Sequence, residues 1–238
     1  MIPSVSEVIK NGNQFMESLR STENKRYLSW EHCYSAFAKY KGKEPLGDSL
    51  DYLCLHLTCY LSSWGMYRGS SFLLQKDYKV HKSAIRKLML PKYHSLWAAK
   101  CADFINIDNN FQKILDTLID ELRNIYSEIR KSAKKSINRE IPKQTISDIL
   151  ITKILLGTLG CVPAYDRYFI GGVKKCKVAS TIFGPKSIRA LSKYYVENSG
   201  AFEDLRKESS KGRVEYSQMK VLDMCFWQIG YKLDGNNS

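Results

Sequence analysis

Thr145-Ile-Ser-Asp-Ile-Leu-Ile-Thr-Lys-Ile-Leu-Leu-Gly-Thr-Leu159 runs directly into Gly160-Cys-Val-Pro-Ala-Tyr-Asp166-Arg-Tyr-Phe169. The first piece is strongly apolar, as a buried helix is, with Thr145, Ser147 and Asp148 placed to cap its start. The second is a short turn through Pro163, whose preset φ suits a helix entry. Asp166 then falls in the first turn of the next helix, where the N-terminus stabilises an anion. The reading is helix, turn, helix, with the Asp166 carboxylate expected at a mouth rather than inside a core.

Outward from this stretch the chain reads helical nearly throughout, with six prolines and little strand-like alternation. Residues 4–20 predict an amphipathic helix, weakened by Gly12. A helix starts at Ser29, with Trp30, Cys33, Phe37 and Tyr40 at helical spacing. Asp48 to Ser63 is apolar enough to be a central helix. Met66 to Tyr78 leads through Arg68-Gly-Ser-Ser-Phe to a basic helix over Val80–Leu90, ended by Pro91. Trp97–Ile105 predicts a short apolar helix, and Phe111–Ser136 a long one with Ile114, Leu115, Leu118, Leu122, Ile125 and Ile129 on one stripe. After Asp166 the pair Gly171-Gly172 is expected to stop a short helix. Gly184-Pro185 opens another, and Val214–Tyr231 is the last. The expected fold is all-α, one domain over 1–238, open to a division into two helical lobes with a DNA-binding cleft between them.

A chain of 238 residues can bury a substantial core, and 44% hydrophobic with 26% charged residues argues against disorder. Lys and Arg number 37 against 24 Asp and Glu, a formal net charge of +13, with pI ≈ 9.3. That balance favours phosphate backbones as partners, and less often an anionic membrane surface. Seven cysteines, an odd count without C-x-x-C, suggest neither a disulfide framework nor a paired-cysteine zinc site. The start is not a signal peptide, and no apolar run approaches a membrane span. The expectation is a cytoplasmic monomer without membrane association, metal or cofactor.

Three groups of residues could carry chemistry. Asp166 at a cleft could activate water or stabilise a sugar cation during N-glycosidic cleavage; it could equally just cap its helix or pair with Arg167. Ser62-Ser-Trp64-Gly-Met-Tyr67-Arg68-Gly-Ser70-Ser71-Phe72 breaks the helical pattern with two glycines among aromatics, hydroxyls and a guanidinium. Trp64, Tyr67, Arg68, Ser70 and Ser71, with Tyr165, are the candidates for a pocket that holds an extruded base. The alternative is a helix–helix corner filled by aromatics. The third group is basic: Arg130, Lys131, Lys134 and Lys135 at the end of the long helix, Lys174 and Lys175 after Asp166, and Lys186 at a Gly-Pro helix entry suited to phosphate. His32, His56, His81 and His94 are scattered.

Two resemblances follow from these residues. An apolar helix, then Val162-Pro163-Ala-Tyr-Asp166 and Arg-Tyr-Phe, resembles the end of the helix-hairpin-helix motif of DNA glycosylases over roughly residues 141–175. Most of the chain, with its Ser-Trp-Gly-Met-Tyr-Arg-Gly-Ser-Ser segment, also resembles a bacterial group that includes an anti-phage DNA glycosylase acting on glucosylated hydroxymethylcytosine. The resemblance implies that Asp166 is catalytic and that double-stranded phage DNA with modified bases is the partner. It departs from the pattern in two ways. Lys143-Gln-Thr-Ile-Ser-Asp148 has no hairpin glycine, whereas Phe183-Gly-Pro-Lys186-Ser stands after Asp166. Ser147 and Asp148 occupy the place of the lysine that lyase-type members carry, which implies a monofunctional enzyme leaving an abasic site. The competing readings are a helical nucleic-acid-binding protein without catalysis, such as a regulator or defence adaptor, and a repair glycosylase for damaged bases.

Overall fold

A computed structural model describes residues 2–69, 71–105, 110–137 and 145–235, with the side chains of 134–137 left out. The described residues form eleven α-helices and no strand. They are α1 (Val5–Arg20), α2 (Ser29–Ala38), α3 (Asp48–Ser63), α4 (Lys82–Leu88), α5 (Cys101–Ile105), α6 (Asn110–Ile137), α7 (Asp148–Thr158), α8 (Arg167–Cys176), α9 (Pro185–Glu197), α10 (Ser199–Ser210) and α11 (Gln218–Gly235). Short 3₁₀ turns cover 26–28, 72–75, 78–81 and 91–96.

Local chemistry accounts for many of the boundaries. Ser4 and Glu7 form a reciprocal capping box at the start of α1. Ser147 caps α7 through the Leu150 N–H. Pro185 occupies the first turn of α9, where its missing N–H is no loss. The expected helix over Trp97–Ile105 is shorter, because Ala98 adopts φ +49° and donates its N–H to the Leu159 carbonyl at 2.8 Å. That bond docks the segment on the end of α7.

The expectation that Gly171-Gly172 ends α8 is overturned: the helix runs on to Cys176. The glycines serve packing instead. A Cβ at Gly172 would stand 1.9 Å from the Phe226 carbonyl oxygen, and one at Gly230 1.8 Å from that of Tyr168. Close approach of α8 and α11 therefore requires both positions to lack a side chain. Helix α10 has no counterpart in the expected elements.

The helices fall into two sets. In one, α7 packs on α2, α3 and α6, and α4 on α3 and α6. In the other, α11 packs on α8, α1, α10 and α9. One hydrophobic cluster runs through both sets. Trp64 at the end of α3, Lys153 of α7, Asp166 before α8, and Lys220 and Asp223 of α11 meet within it.

Candidate active site

The turn that carries Asp166 is clamped from two helices. The Tyr165 N–H donates to Thr152 Oγ1 of α7, and the Ala164 N–H to Asp223 Oδ1 of α11, both at 3.0 Å. Asp166 then caps α8, with Oδ1 accepting from the Tyr168 and Phe169 N–H groups at 3.1 Å. Its other oxygen, Oδ2, lies 3.3 Å from Lys153 Nζ. Asp166 is thus a helix cap and half of a buried ion pair at once.

Lys153 is the one charged residue in the interior of α7, and it is buried. Its ammonium donates to the Trp64 carbonyl at 2.9 Å and sits 5.5 Å from the centre of that indole. Burial pulls its proton affinity below the usual lysine value, outweighing the opposite pull of Asp166. A second pair, Lys220 and Asp223 at 2.8 Å, lies beside the first. The Lys220 ammonium stands 5.1 to 5.7 Å from the rings of Trp30, Phe15 and Trp64. Burial pushes the Asp223 carboxyl up, against the pull of Lys220.

Asp166, Lys153, Lys220 and Asp223 share a cavity of about 10 Å³ with Trp64 and Trp227. That is room for about one water molecule. Asp166 is only 8% exposed, so the expectation of a carboxylate at an open mouth is corrected. The physical reason is the aromatic cover, since Trp64 stacks on Tyr27 at 4.9 Å and meets Trp227 edge-on at 5.7 Å. The indole N–H groups of Trp64 and Trp227 are buried without an acceptor.

Of the expected pocket residues that are described, Trp64 alone lines the cavity with Asp166. Tyr67 turns to another partner, its hydroxyl 2.8 Å from His81 Nε2. Arg68 is exposed and folds back over Gly65, where a Cβ would meet its Nε at 2.9 Å. Ser71 Oγ donates to the Met66 carbonyl and accepts from the Leu73 N–H, so it stabilises the turn. Tyr165 is buried and donates its hydroxyl to Ser187 Oγ at 2.8 Å. Ser70 lies outside the described residues.

The basic groups are spread out. Lys131 pairs with Glu128 at 2.6 Å, and Arg130 is half-buried. The side chains of Lys134 and Lys135 lie outside the described residues. Lys174 and Lys175 are exposed at the far end of α8, about 12 Å along the axis from Asp166. Lys186 is exposed in the first turn of α9.

Lys153, Lys220, Asp223 and Trp227 line the cavity with Asp166 and were missed by sequence reasoning. A lone lysine inside the apolar run Ile149–Leu159 was the legible signal, because an unpaired buried charge demands a partner. Among the described residues no group of three or more His, Cys, Asp or Glu is placed to hold a metal ion. No described helix is long and apolar enough to cross a membrane.

The described residues define an all-helical protein with two buried lysine–carboxylate pairs under an aromatic cover. No family model, curated protein or solved structure matches the chain.

Proposed function

We propose that this protein is a DNA glycosylase that excises a modified base with Asp166 as its catalytic carboxylate. The observation that carries the reading is the pairing of Asp166 with Lys153 at 3.3 Å beneath Trp64 and Trp227. Breaking an N-glycosidic bond sends the bonding electrons to the base and leaves positive charge on the sugar. A carboxylate held by two N–H groups is ready-made to face that charge and to orient the attacking water. Lys153, with its proton affinity lowered by burial, is a willing proton donor to the departing base. The two unpaired indole N–H groups offer donors to acceptor atoms on the base.

A base reaches Asp166 only if Trp64 leaves its stack on Tyr27. Trp64 sits where α3 gives way to a turn with Gly65 at φ +78° and Gly69 at φ +59°, which can absorb such a swing. The proposed substrate is a bulky hydroxylated base of phage DNA, first of all glucosylated hydroxymethylcytosine, excised in the cytoplasm as a defence. The resemblance supports that choice, whereas Arg68 folds back over Gly65 and Ser71 is occupied within its own turn. The proposed product is an intact abasic site.

Incubation with glucosylated, hydroxymethylated, uracil-containing and methylated duplexes, followed by abasic-site detection, tests the reading. Wild type should act on the glucosylated duplex, and Asp166→Asn should remain folded and bind DNA but lose turnover. Preference for uracil or an alkylated base would make it a repair enzyme. Borohydride trapping of the protein on DNA through Lys153 would make it a lyase. A second reading, a nucleic-acid-binding protein without catalysis, is favoured by the closed cavity and by the use of both Asp166 oxygens inside the protein. Failure of every substrate to yield abasic sites would decide for it.

A further inference from the structure

Aromatic side chains gather around one residue of α11. Trp227, 3% exposed, meets five rings: Tyr231 at 5.0 Å, Tyr168 at 5.2 Å, Tyr27 at 5.4 Å, and Phe15 and Trp64 at 5.7 Å. The Tyr231 ring lies flat on it, 9° from parallel, and is 47% exposed. Two guanidiniums cover the outer rings, Arg26 at 4.9 Å over Tyr27 and Arg167 at 4.5 Å over Tyr168. Arg167 also pairs with Asp234 at 3.3 Å. The layer therefore runs from the buried charge pairs, which Trp64 and Trp227 cover, out to solvent.

Among the described residues the Tyr231 ring meets two others, Trp227 flat and Tyr168 edge-on at 5.4 Å, and it is left about half exposed. Every nucleobase has a π-face that fits such a ring, and arginine both stacks on bases and neutralises phosphate. Exposed Lys174 and Lys175 on α8, Lys177 just after it and Lys232 on α11 extend the positive charge along the same two helices. Paired bases inside a duplex keep their faces covered.

We infer that Tyr231, flanked by Arg167 on Tyr168 and by Arg26 on Tyr27, is the stacking ring of a face that binds unpaired bases of a DNA strand. The choice of nucleic acid as partner rests on the reading above; the stacking face does not depend on excision. The experiment measures binding of unmodified oligothymidylate and of a duplex of equal length at the same salt, following tryptophan fluorescence. The single strand should bind more tightly and quench the fluorescence. Tyr231→Ala should weaken strand binding roughly 5- to 150-fold, the range for one lost base stack, while Tyr231→Phe, which keeps the ring, should bind as wild type. Arg167→Ala should lower the slope of log K against log salt by about 0.7 for a lost phosphate contact. Unchanged binding by Tyr231→Ala, or a duplex bound as tightly as the strand without quenching, would overturn the face while leaving excision untouched. Tighter binding of oligouridylate would overturn the assignment to DNA. No binding of any nucleic acid would remove both readings together.

Discussion

Asp166 serves the fold and the candidate chemistry with different atoms. Its Oδ1 ends the backbone of α8, and its Oδ2 balances Lys153. Asp166→Ala removes both at once and leaves a buried ammonium unpaired, so the protein should lose about 3–5 kcal/mol. Combining it with Lys153→Met should restore part of that loss, since the unpaired charge is then gone. Urea midpoints of the two single variants and the double variant measure this coupling. His81 offers a separate test. It is fully buried between the Tyr67 and Tyr126 hydroxyls at 2.8 and 2.7 Å, and burial pushes its imidazole down to about 3. The unfolded chain binds that proton near pH 6.5, so between these values the unfolded state holds more protons. Stability from this group is complete above pH 6.5 and is lost as pH falls through that window, by at most about 1.4 kcal/mol per pH unit. Melting temperature against pH should be less steep for His81→Gln than for wild type between about pH 4 and 6.

Between elements, the pairing of α8 with α11 places Asp166 over Asp223. Gly172 and Gly230 allow it, each facing a backbone carbonyl of the other helix. A backbone atom cannot rotate away as a side chain can, so Gly172→Ala must push the helices apart and should destabilise by roughly 1–3 kcal/mol or more. Gly171 is the control. Its Cβ would meet the Gly230 Cα at 3.6 Å, ordinary contact, and alanine is the better helix former. Gly171→Ala should therefore be neutral or stabilising, by up to about 1 kcal/mol. Thermal melts of the two variants separate packing from propensity. The same pair shows why sequence misplaced the end of α8: two adjacent glycines read locally as a stop, and only the facing helix turns them into a contact surface.

At the scale of the molecule the charge of +13 is spread over several faces. Lys131 sits near the end of α6, Lys174 and Lys175 at the end of α8, and Lys186 at the start of α9. Replacing Lys131, Lys134 and Lys135 together should weaken binding equally on all duplex sequences. It should also flatten log K against log salt by about 0.9 for each phosphate contact removed. An unchanged slope would leave the end of α6 in bulk solvent and put the backbone on α8 and α9.

Helix content and the main helical segments were legible along the chain because capping, period and proline placement act over a few residues. Asp48–Ser63, the Ser147 cap, the Gly184-Pro185 entry and the placement of Asp166 at a helix start all rest on such local chemistry. Trp64 was legible as part of the site because its glycine-broken turn interrupts a helical pattern. What surrounds Asp166 was not. Lys153 is close to it in the sequence, but Trp64, Lys220, Asp223 and Trp227 come from distant helices. Whether a carboxylate faces water or a buried ammonium depends on which helices cross above it. That crossing is set by close contacts such as Gly172 on Phe226, a property of two surfaces meeting and of neither segment alone.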